Sequence, residues 1–534
     1  METARNRVIE WSYQSDKIYS DPFNQIKVYA MIQKSGRNAM KLPGFFAGNQ
    51  TWSFRFSSVE TGKFTFTTGC SDETNHDLHL RTGEITVHEY EGEHKIYKHG
   101  PLKRSQGLKY LIHEDDTPFL WLGDTWWMSL TKRLSLNDFK SLLNDRVKKN
   151  YSVAQIVMGL YPDMMPFDER GANERGFPWT EDYQTINHAY FDWADQKIQL
   201  MIEEGIMPCL VACWGFFLRY AGVEVIKKHW EYIIARYGAY PVVWCLAGEA
   251  LMPFYMDYEF HDPVKQEEYM IWAKEKWTEI ALHVREYDPY KRVLTVHPTQ
   301  YGRDMLNDDR LMDMEMLQTG HGGFTSLAST VDMVNKAVSR KPVMPVINSE
   351  VCYEGICGTS YCDIQRFLYY SCMLSGTCGF TYGANGIWQV NTEEIPYGPS
   401  PHGATWGDTP WNTAAALPGS MQIGLAKKLL EEHEWWNFEN HQEWVEEKGH
   451  NNIKPYAAGI PKKIRIIFMP FFAGLGWQFT LRNIEPDIMY SAYFFDPVTG
   501  EKTVPVIVRP DVNGNWTTGK ITKFQDWVIV LSAI

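Results

Sequence analysis

Residues 242–249 read Val-Val-Trp-Cys-Leu-Ala-Gly-Glu, and residues 343–350 read Val-Met-Pro-Val-Ile-Asn-Ser-Glu. Each is an apolar run that closes directly on a glutamate. A continuous apolar run of this length marks a strand buried on both faces, the kind found in parallel sheets. Six more such runs accompany these two: Phe119–Leu122, Val153–Met158, Met207–Cys213, Val293–His297, Met314–Gln318 and Cys378–Tyr382. Amphipathic helical stretches lie between them, at Ser135–Lys149, Ala189–Glu204, Val223–Tyr237, Gln266–Tyr287, Val331–Ser339 and Ile364–Ser375. Eight β/α units over about 320 residues predict a (β/α)8 barrel with enlarged loops. The alternative, an open doubly wound sheet, calls for a glycine-rich phosphate loop after the first strand. That strand instead runs into Gly123-Asp124-Thr125-Trp126-Trp127.

Outside this core the period changes from helical to alternating. Before about residue 105, Trp52, Phe54 and Phe56, and again Phe64 and Phe66, place every second side chain on one buried face. Short strands at regular spacing with no helices between them predict a β-sandwich. A helix over Met421–His433 leads to a second β-rich region, with strands expected at Lys463–Phe468, Gly476–Leu481, Ser491–Phe495, Thr503–Val508 and Asp526–Leu531. The expected architecture is therefore α/β: a central (β/α)8 TIM barrel over 106–435, flanked by an N-terminal β-sandwich (1–105) and a C-terminal β-sandwich (436–534).

Composition narrows the function. The 534 residues carry 65 acidic and 52 basic side chains, a formal charge of −13, and no basic stripe long enough to follow a phosphate backbone, which argues against nucleic acid. No apolar run reaches the roughly 18 residues of a membrane span. The start, Met1-Glu-Thr-Ala-Arg-Asn-Arg7, shows no apolar signal region, so a cytoplasmic location is expected. Nine cysteines, an odd number, fit a reducing compartment. Cys352, Cys357 and Cys362 recur every five residues, a spacing that matches no zinc pattern. Neither a metal nor another cofactor is expected, and homo-oligomerisation stays open. The aromatic content, 14% with 21 Trp, suits either heavy packing or flat apolar faces of the kind that sugar rings stack on.

In a (β/α)8 barrel the active site lies at the carboxyl ends of the strands. The candidates collected there are Asp124, Trp126 and Trp127 after the first strand, Tyr161 and Asp163 after the second and Trp214 after the third. The later strands contribute Glu249, His297, Gln318 with His321, Glu350, and finally Tyr382 with Trp388. A carboxylate at the tip of a buried strand loses hydration and needs a partner or a function. Placed on the fourth and seventh strands, Glu249 and Glu350 face one another across the barrel mouth. Glycoside hydrolysis uses such a pair, one protonating the leaving oxygen and the other attacking the anomeric carbon or activating water. Asp124 either holds two sugar hydroxyls or caps the following helix. The four tryptophans divide between sugar-stacking surfaces and core, while His297 and His321 bond substrate or orient Glu350.

Three motifs in order, Phe119-Leu-Trp-Leu-Gly-Asp-Thr-Trp-Trp127, Trp244-Cys-Leu-Ala-Gly-Glu249 and Pro345-Val-Ile-Asn-Ser-Glu-Val-Cys-Tyr-Glu354, resemble the apiosidase-like glycoside hydrolases, a clan A group whose barrel is often flanked by β-domains. The resemblance implies a retaining glycosidase acting on plant-type oligosaccharides or glycosides from the chain end, with Glu249 as acid/base and Glu350 as nucleophile. One residue departs from the clan: Gly248 stands where many members carry an Asn that bonds the sugar 2-hydroxyl. A non-catalytic carbohydrate-binding protein on the same scaffold is the competing reading. The carboxyl separation discriminates, since about 5–5.5 Å accompanies retention and about 6.5–9.5 Å inversion. A much wider gap, or an arginine holding Glu350, would favour the binding protein.

Overall fold

The computed structural model describes residues 1–257, 261–473 and 476–534. Its centre is an eight-stranded parallel sheet rolled into a nearly closed barrel: β1 (Trp121–Thr125), β2 (Val153–Val157), β3 (Met207–Val211), β4 (Val243–Cys245), β5 (Leu294–Thr295), β6 (Glu315–Gln318), β7 (Val346–Glu350) and β8 (Gly379–Tyr382). Adjacent strands pair in sequence order and β1 pairs with β8. The seam falls between β5 and β6, where no ladder forms among the described residues. Instead, the Asp313 amide donates to Leu294 O at 2.8 Å and Thr295 Oγ1 to Met314 O at 2.9 Å. Helices α1 (Leu136–Lys148), α2 (His188–Glu203), α3 (Val223–Tyr237), α4 (Pro263–Tyr287), α5 (Leu327–Ser339), α6 (Cys362–Leu374) and α7 (Pro418–Glu431) surround it. After β5 only two 3-10 turns appear, Gly302–Asp304 and Asp309–Leu311. No helix of the described residues is long and apolar enough to cross a membrane.

All eight expected strands are present, but β1 sits further along the chain than the run Phe119–Leu122 suggests. The strand is Trp121–Thr125, every residue of it buried, so Asp124 is part of the wall rather than of the rim.

The N-terminal module packs a five-stranded sheet (Glu2–Ala4, Thr82–His88, Gly62–Cys70, Val28–Lys34, Met40–Pro43) on a three-stranded one (Ile9–Gln14, Thr51–Phe56, Phe45–Phe46). Trp52, Phe54 and Phe56 face the inner core with Phe66, Ile85 and Val87. The alternation expected for Thr51–Phe56 gives one buried face, yet Ser53 and Arg55 on the other face are buried as well. The reason is that this second face lies on the barrel. Arg55 Nη2 donates to Asp195 of α2 at 2.5 Å and its Nη1 to the Arg236 carbonyl of α3 at 2.9 Å, while Tyr232 of α3 donates to Phe46 O at 2.8 Å.

The C-terminal region forms a six-stranded sheet, in the order Glu439–Asn440, Tyr456–Ile460, Ile464–Met469, Trp527–Ala533, Tyr490–Phe495 and Val506–Ile507, with a separate two-stranded ribbon of Thr480–Leu481 and Trp516–Thr517. The strands expected at Gly476–Leu481 and Thr503–Val508 shrink to two residues each. Arg366 of α6 ties this sheet to the barrel, donating to Asp526 at 2.7 Å with both groups buried.

Candidate active site

The carboxyl ends of the barrel strands converge on one cavity of about 250 Å³, whose lining includes Trp127, Trp214, Glu249, Gln318, Glu350 and Trp388. Backbone pairing explains the convergence at β3 and β4. Beyond the strand proper, Trp214 bridges Gly248, with Gly248 N donating to Cys213 O at 2.9 Å and Gly215 N to Gly248 O at 2.7 Å. The Trp214 ring lies against Gly248, where an added Cβ would stand 2.2 Å from it. Glycine is required there, and the indole takes the room that a side chain before Glu249 would need. Glu249 itself has φ +44°, left-handed backbone that costs a non-glycine residue about 1–3 kcal/mol and persists only where the surroundings enforce it.

Opposite stands Glu350, the last residue of β7. Between Leu317 and Gln318 the β6–β7 register shifts, so that Leu317 pairs with Asn348 but Gln318 with Glu350. This irregularity turns Gln318 to the side of Glu350, as β-bulges near sites often do. Gln318 Nε2 then donates to Glu249 Oε1 at 3.1 Å and to Glu350 Oε1 at 3.3 Å. A donor shared at those distances cannot leave the two oxygens more than 6.4 Å apart. The two N–H bonds of one amide diverge by about 120°, which sets the oxygens about 5.5 Å apart when both bonds are straight.

The environments of the two carboxylates differ. Glu350 is 5% exposed. His321 Nε2 lies 2.9 Å from its Oε1 and His297 Nε2 lies 3.1 Å from its Oε2; its charged partners are two imidazoles, not an arginine. Burial alone would raise the Glu350 pKa, but the closely placed imidazoles of His297 and His321, the latter hydrogen-bonded, outweigh it and hold the carboxyl at about 2. Burial also opposes protonation of His321, and the bond and charge of Glu350 outweigh that in turn, raising its pKa. Among the described residues, Glu249 receives neutral donors, Gln318 and the Trp214 indole at 3.0 Å. Burial, then the Glu350 charge, raise its pKa above the ordinary carboxyl range. Two carboxyl groups pushed in opposite directions are the arrangement that separates an acid from a nucleophile.

Aromatic side chains make the walls. Trp127 stands edge-on to Trp214 at 5.4 Å and donates Nε1 to the Tyr353 hydroxyl at 3.0 Å, while Tyr353 packs on His321 at 4.7 Å. The outer rim comes from long loops. Asp163 there, with φ +55°, accepts from the Tyr255 hydroxyl at 2.7 Å and from Ser400 at 2.6 Å. No lysine or arginine is among the described residues that line the cavity. A roomier cleft of about 460 Å³ lies at the opposite end of the barrel, against the N-terminal module. Glu60 there is paired with Lys34 and Arg37, and nothing in it resembles the opposed carboxyls of the mouth.

Of the residues collected from the sequence, Glu249, Glu350, Trp127, Asp163, Trp214, Gln318, His321 and Trp388 line the cavity, and His297 lies beneath it, fully buried between Glu350 and the rings of Trp127 and Trp214. Four do not reach it. Asp124 neither faces the cavity nor caps a helix, because Ser135 caps α1; it points outward and accepts from Arg146 Nε at 2.5 Å and Trp126 Nε1 at 2.8 Å. Trp126 packs edge-on to Phe139 of α1. The Tyr161 hydroxyl is spent on Tyr190 at 2.7 Å, and the Tyr382 hydroxyl on Glu354 at 2.5 Å. Sequence reasoning did not collect Tyr255, Tyr353, His402 or Trp406, which come from loops without periodicity. The outward turn of Asp124 did leave a trace. In α1 the buried positions Phe139, Leu142, Leu143 and Arg146 form one stripe, and an arginine in an apolar stripe requires a buried carboxylate.

Residues 105–437 match the family described as apiosidase-like, catalytic domain, and residues 3–71 match a domain of unknown function, DUF5060. Among solved structures, one described as a glycoside hydrolase is 20% identical over 82% of this chain and 97% of its own, with a TM-score of 0.66. A glycoside hydrolase family 5 protein from Bacteroides vulgatus is 19% identical over 82% of this chain and 94% of its own, with a TM-score of 0.65. A further Bacteroides vulgatus structure is 17% identical and covers 100% of both chains at a TM-score of 0.70. At these identities the likeness is one of fold. No curated protein matches the chain.

Proposed function

This chain belongs to the apiosidase-like family, and from that premise we propose that it is a retaining glycoside hydrolase with Glu350 as nucleophile and Glu249 as acid/base. The observation that carries the reading is the shared donor: Gln318 Nε2 bonds both carboxylates, a spacing that favours a nucleophile over a water-activating base. Glu350, ionised far below neutrality, attacks the anomeric carbon. The glycosidic bond breaks as Glu249 gives its proton to the leaving oxygen. Water, losing a proton to Glu249, then attacks the same carbon and the Glu350 carboxylate departs, so that the anomeric configuration is restored.

The cavity shape and charge support a substrate class. At about 250 Å³ it is smaller than the common run of ligand pockets, roughly 300–1,000 Å³, as suits one terminal ring of an oligosaccharide or plant-type glycoside taken from the chain end. Glu249, Glu350 and Asp163 line it with no lysine or arginine among the described residues, which favours a ring without a carboxylate. The test is a panel of aryl glycosides, furanosides included. Glu350→Gln is expected to lower turnover by several orders of magnitude, as loss of a nucleophile does, while substrate binding persists, and the first product anomer seen by NMR is the retained one. Unchanged hydrolysis in Glu350→Gln, or an inverted product, refutes the reading.

A further inference from the structure

We propose that Gln318 reads the hydroxyl on the carbon next to the anomeric centre, one of its amide N–H groups passing from Glu249 to that hydroxyl as the sugar enters. The inference rests on the assignment of Glu249 and Glu350 made above and adds a positioning residue to it.

The geometry leads there in three steps. First, the register shift between β6 and β7 places Gln318 directly against Glu350, with its nitrogen between the two carboxylates. The glycosidic bond to be cleaved has to occupy that same gap, since Glu249 must reach the leaving oxygen while Glu350 reaches the anomeric carbon. The amide cannot keep both bonds once the sugar is in place. Second, Gln318 is free to turn. Its Oε1 accepts no hydrogen bond from the protein, so only the nitrogen anchors the amide, and swinging one N–H away from Glu249 breaks a single bond. Third, the two indoles that flank the pair are committed. The Trp214 indole holds Glu249, the Trp127 indole holds Tyr353, and the residue before Glu249 is a glycine whose Cβ would collide with Trp214. The hydroxyl adjacent to the anomeric carbon is one bond away from the atom that Glu350 attacks, and the other Gln318 N–H remains on that carboxylate, at Oε1. A hydrogen bond to that hydroxyl strengthens as the oxocarbenium-like transition state forms.

The transfer has an electrostatic corollary. The Gln318 bond favours the ionised form of Glu249, so giving it up makes Glu249 a better proton holder at the moment its proton is needed. The groups that face Glu249 are Glu350 from β7, His297 beyond β5, His321 beyond β6, the Tyr353 hydroxyl and the Trp214 indole; of these contacts the amide of Gln318 is the one that the entering sugar must displace.

The test is a cycle of two substrates and two enzymes. The substrates are an aryl glycoside that the wild type hydrolyses and the same glycoside with hydrogen in place of the neighbouring hydroxyl; the enzymes are the wild type and Gln318→Met, of similar length without the amide. The ratio of kcat/KM, parent over deoxy analogue, is expected to fall roughly tenfold or more in the variant. The alkaline limb of kcat/KM, which reports the acid of the free enzyme, is expected to move to higher pH while that of kcat stays. A variant that only loosened the fold would lower both substrates alike and leave the limb in place. If Gln318→Met does not fold, Gln318→Asn, one methylene short of the gap, supplies the same comparison. An unchanged ratio with an unmoved limb overturns the role of Gln318 while leaving the nucleophile assignment intact. A wild type that turns over none of the glycosides removes the premise and overturns both.

Discussion

Replacing Asp124 by Ala separates a wall residue from a sugar ligand. Asp124 is 0% exposed. Its Oδ2 is shared by Arg146 Nε and Trp126 Nε1, and its Oδ1 accepts from the Thr125 amide at 2.9 Å. Removing the carboxylate leaves the Arg146 guanidinium, also 0% exposed, with Asp145, the Ala415 carbonyl at 3.1 Å and the faces of Tyr151 and Tyr382. Breaking a buried ion pair costs about 3–5 kcal/mol. Asp145, a third exposed, retains part of the compensation, which places this case near the lower figure. The orphaned Trp126 N–H adds about 1 kcal/mol, for a total of about 4 kcal/mol. With an unfolding entropy of about 2.1 cal/mol/K per residue over a barrel of about 330 residues, that lowers the melting temperature by about 6 °C when the barrel unfolds as one unit. Calorimetry read beside the kinetics of whichever aryl glycoside is hydrolysed checks it: the expected variant melts early but keeps its KM. An Asp124→Ala protein with the wild-type melting temperature and a raised KM would return Asp124 to the sugar and refute the wall assignment.

His321→Asn removes one of the two imidazoles that hold Glu350 down, so the acid limb of kcat/KM is expected to move to higher pH. The sign for stability follows from both partners. Glu350, lowered to about 2, contributes fully above its unfolded value of about 4.3 and loses that contribution as pH falls through its folded value. His321, raised, contributes fully below about 6.5 and loses it as pH rises through its folded value. The advantage of wild type over His321→Asn is therefore greatest between about pH 4.5 and 6.5 in denaturant titrations, and a difference that is flat with pH contradicts the pairing. Gly248→Ala drives a methyl into the Trp214 ring; the expected cost is about 1–3 kcal/mol of overpacking together with reduced turnover, because Trp214 is pushed off Glu249. A variant of wild-type stability and activity would show that the indole yields freely.

The glutamates were legible because the two apolar runs fix both their strands and their ends: a residue that closes a buried parallel strand has few directions open to it. Asp124 was not, for a reason of phase. Reading β1 as Phe119–Leu122 puts Asp124 in the loop, whereas the strand Trp121–Thr125 puts it in the wall, and a shift of this kind changes which face a side chain takes. Tyr382 fails similarly, being the last strand residue of β8 with its hydroxyl turned to Glu354. The bond from Gln318 to both carboxylates depends on a register irregularity between strands that meet only in space. Asp163, Tyr255 and Ser400 lie as much as 237 residues apart, and nothing local in any of the three announces that they close one rim.

The three-stranded sheet of the N-terminal module, buried on one side by its own sandwich and on the other by α2 and α3, has a consequence for how such chains are assembled. A module that merely hangs from a catalytic barrel can be exchanged by joining sequences at a linker. Here the cut that frees residues 1–105 would expose Arg55 and take its guanidinium from the Asp195 carboxylate and the Arg236 carbonyl that it bridges. The dividing line in sequence is not a dividing line in space. Transplanting this barrel, or lending its sandwich to another, means carrying across the helix surface it rests on, so the two parts are expected to change together in descent.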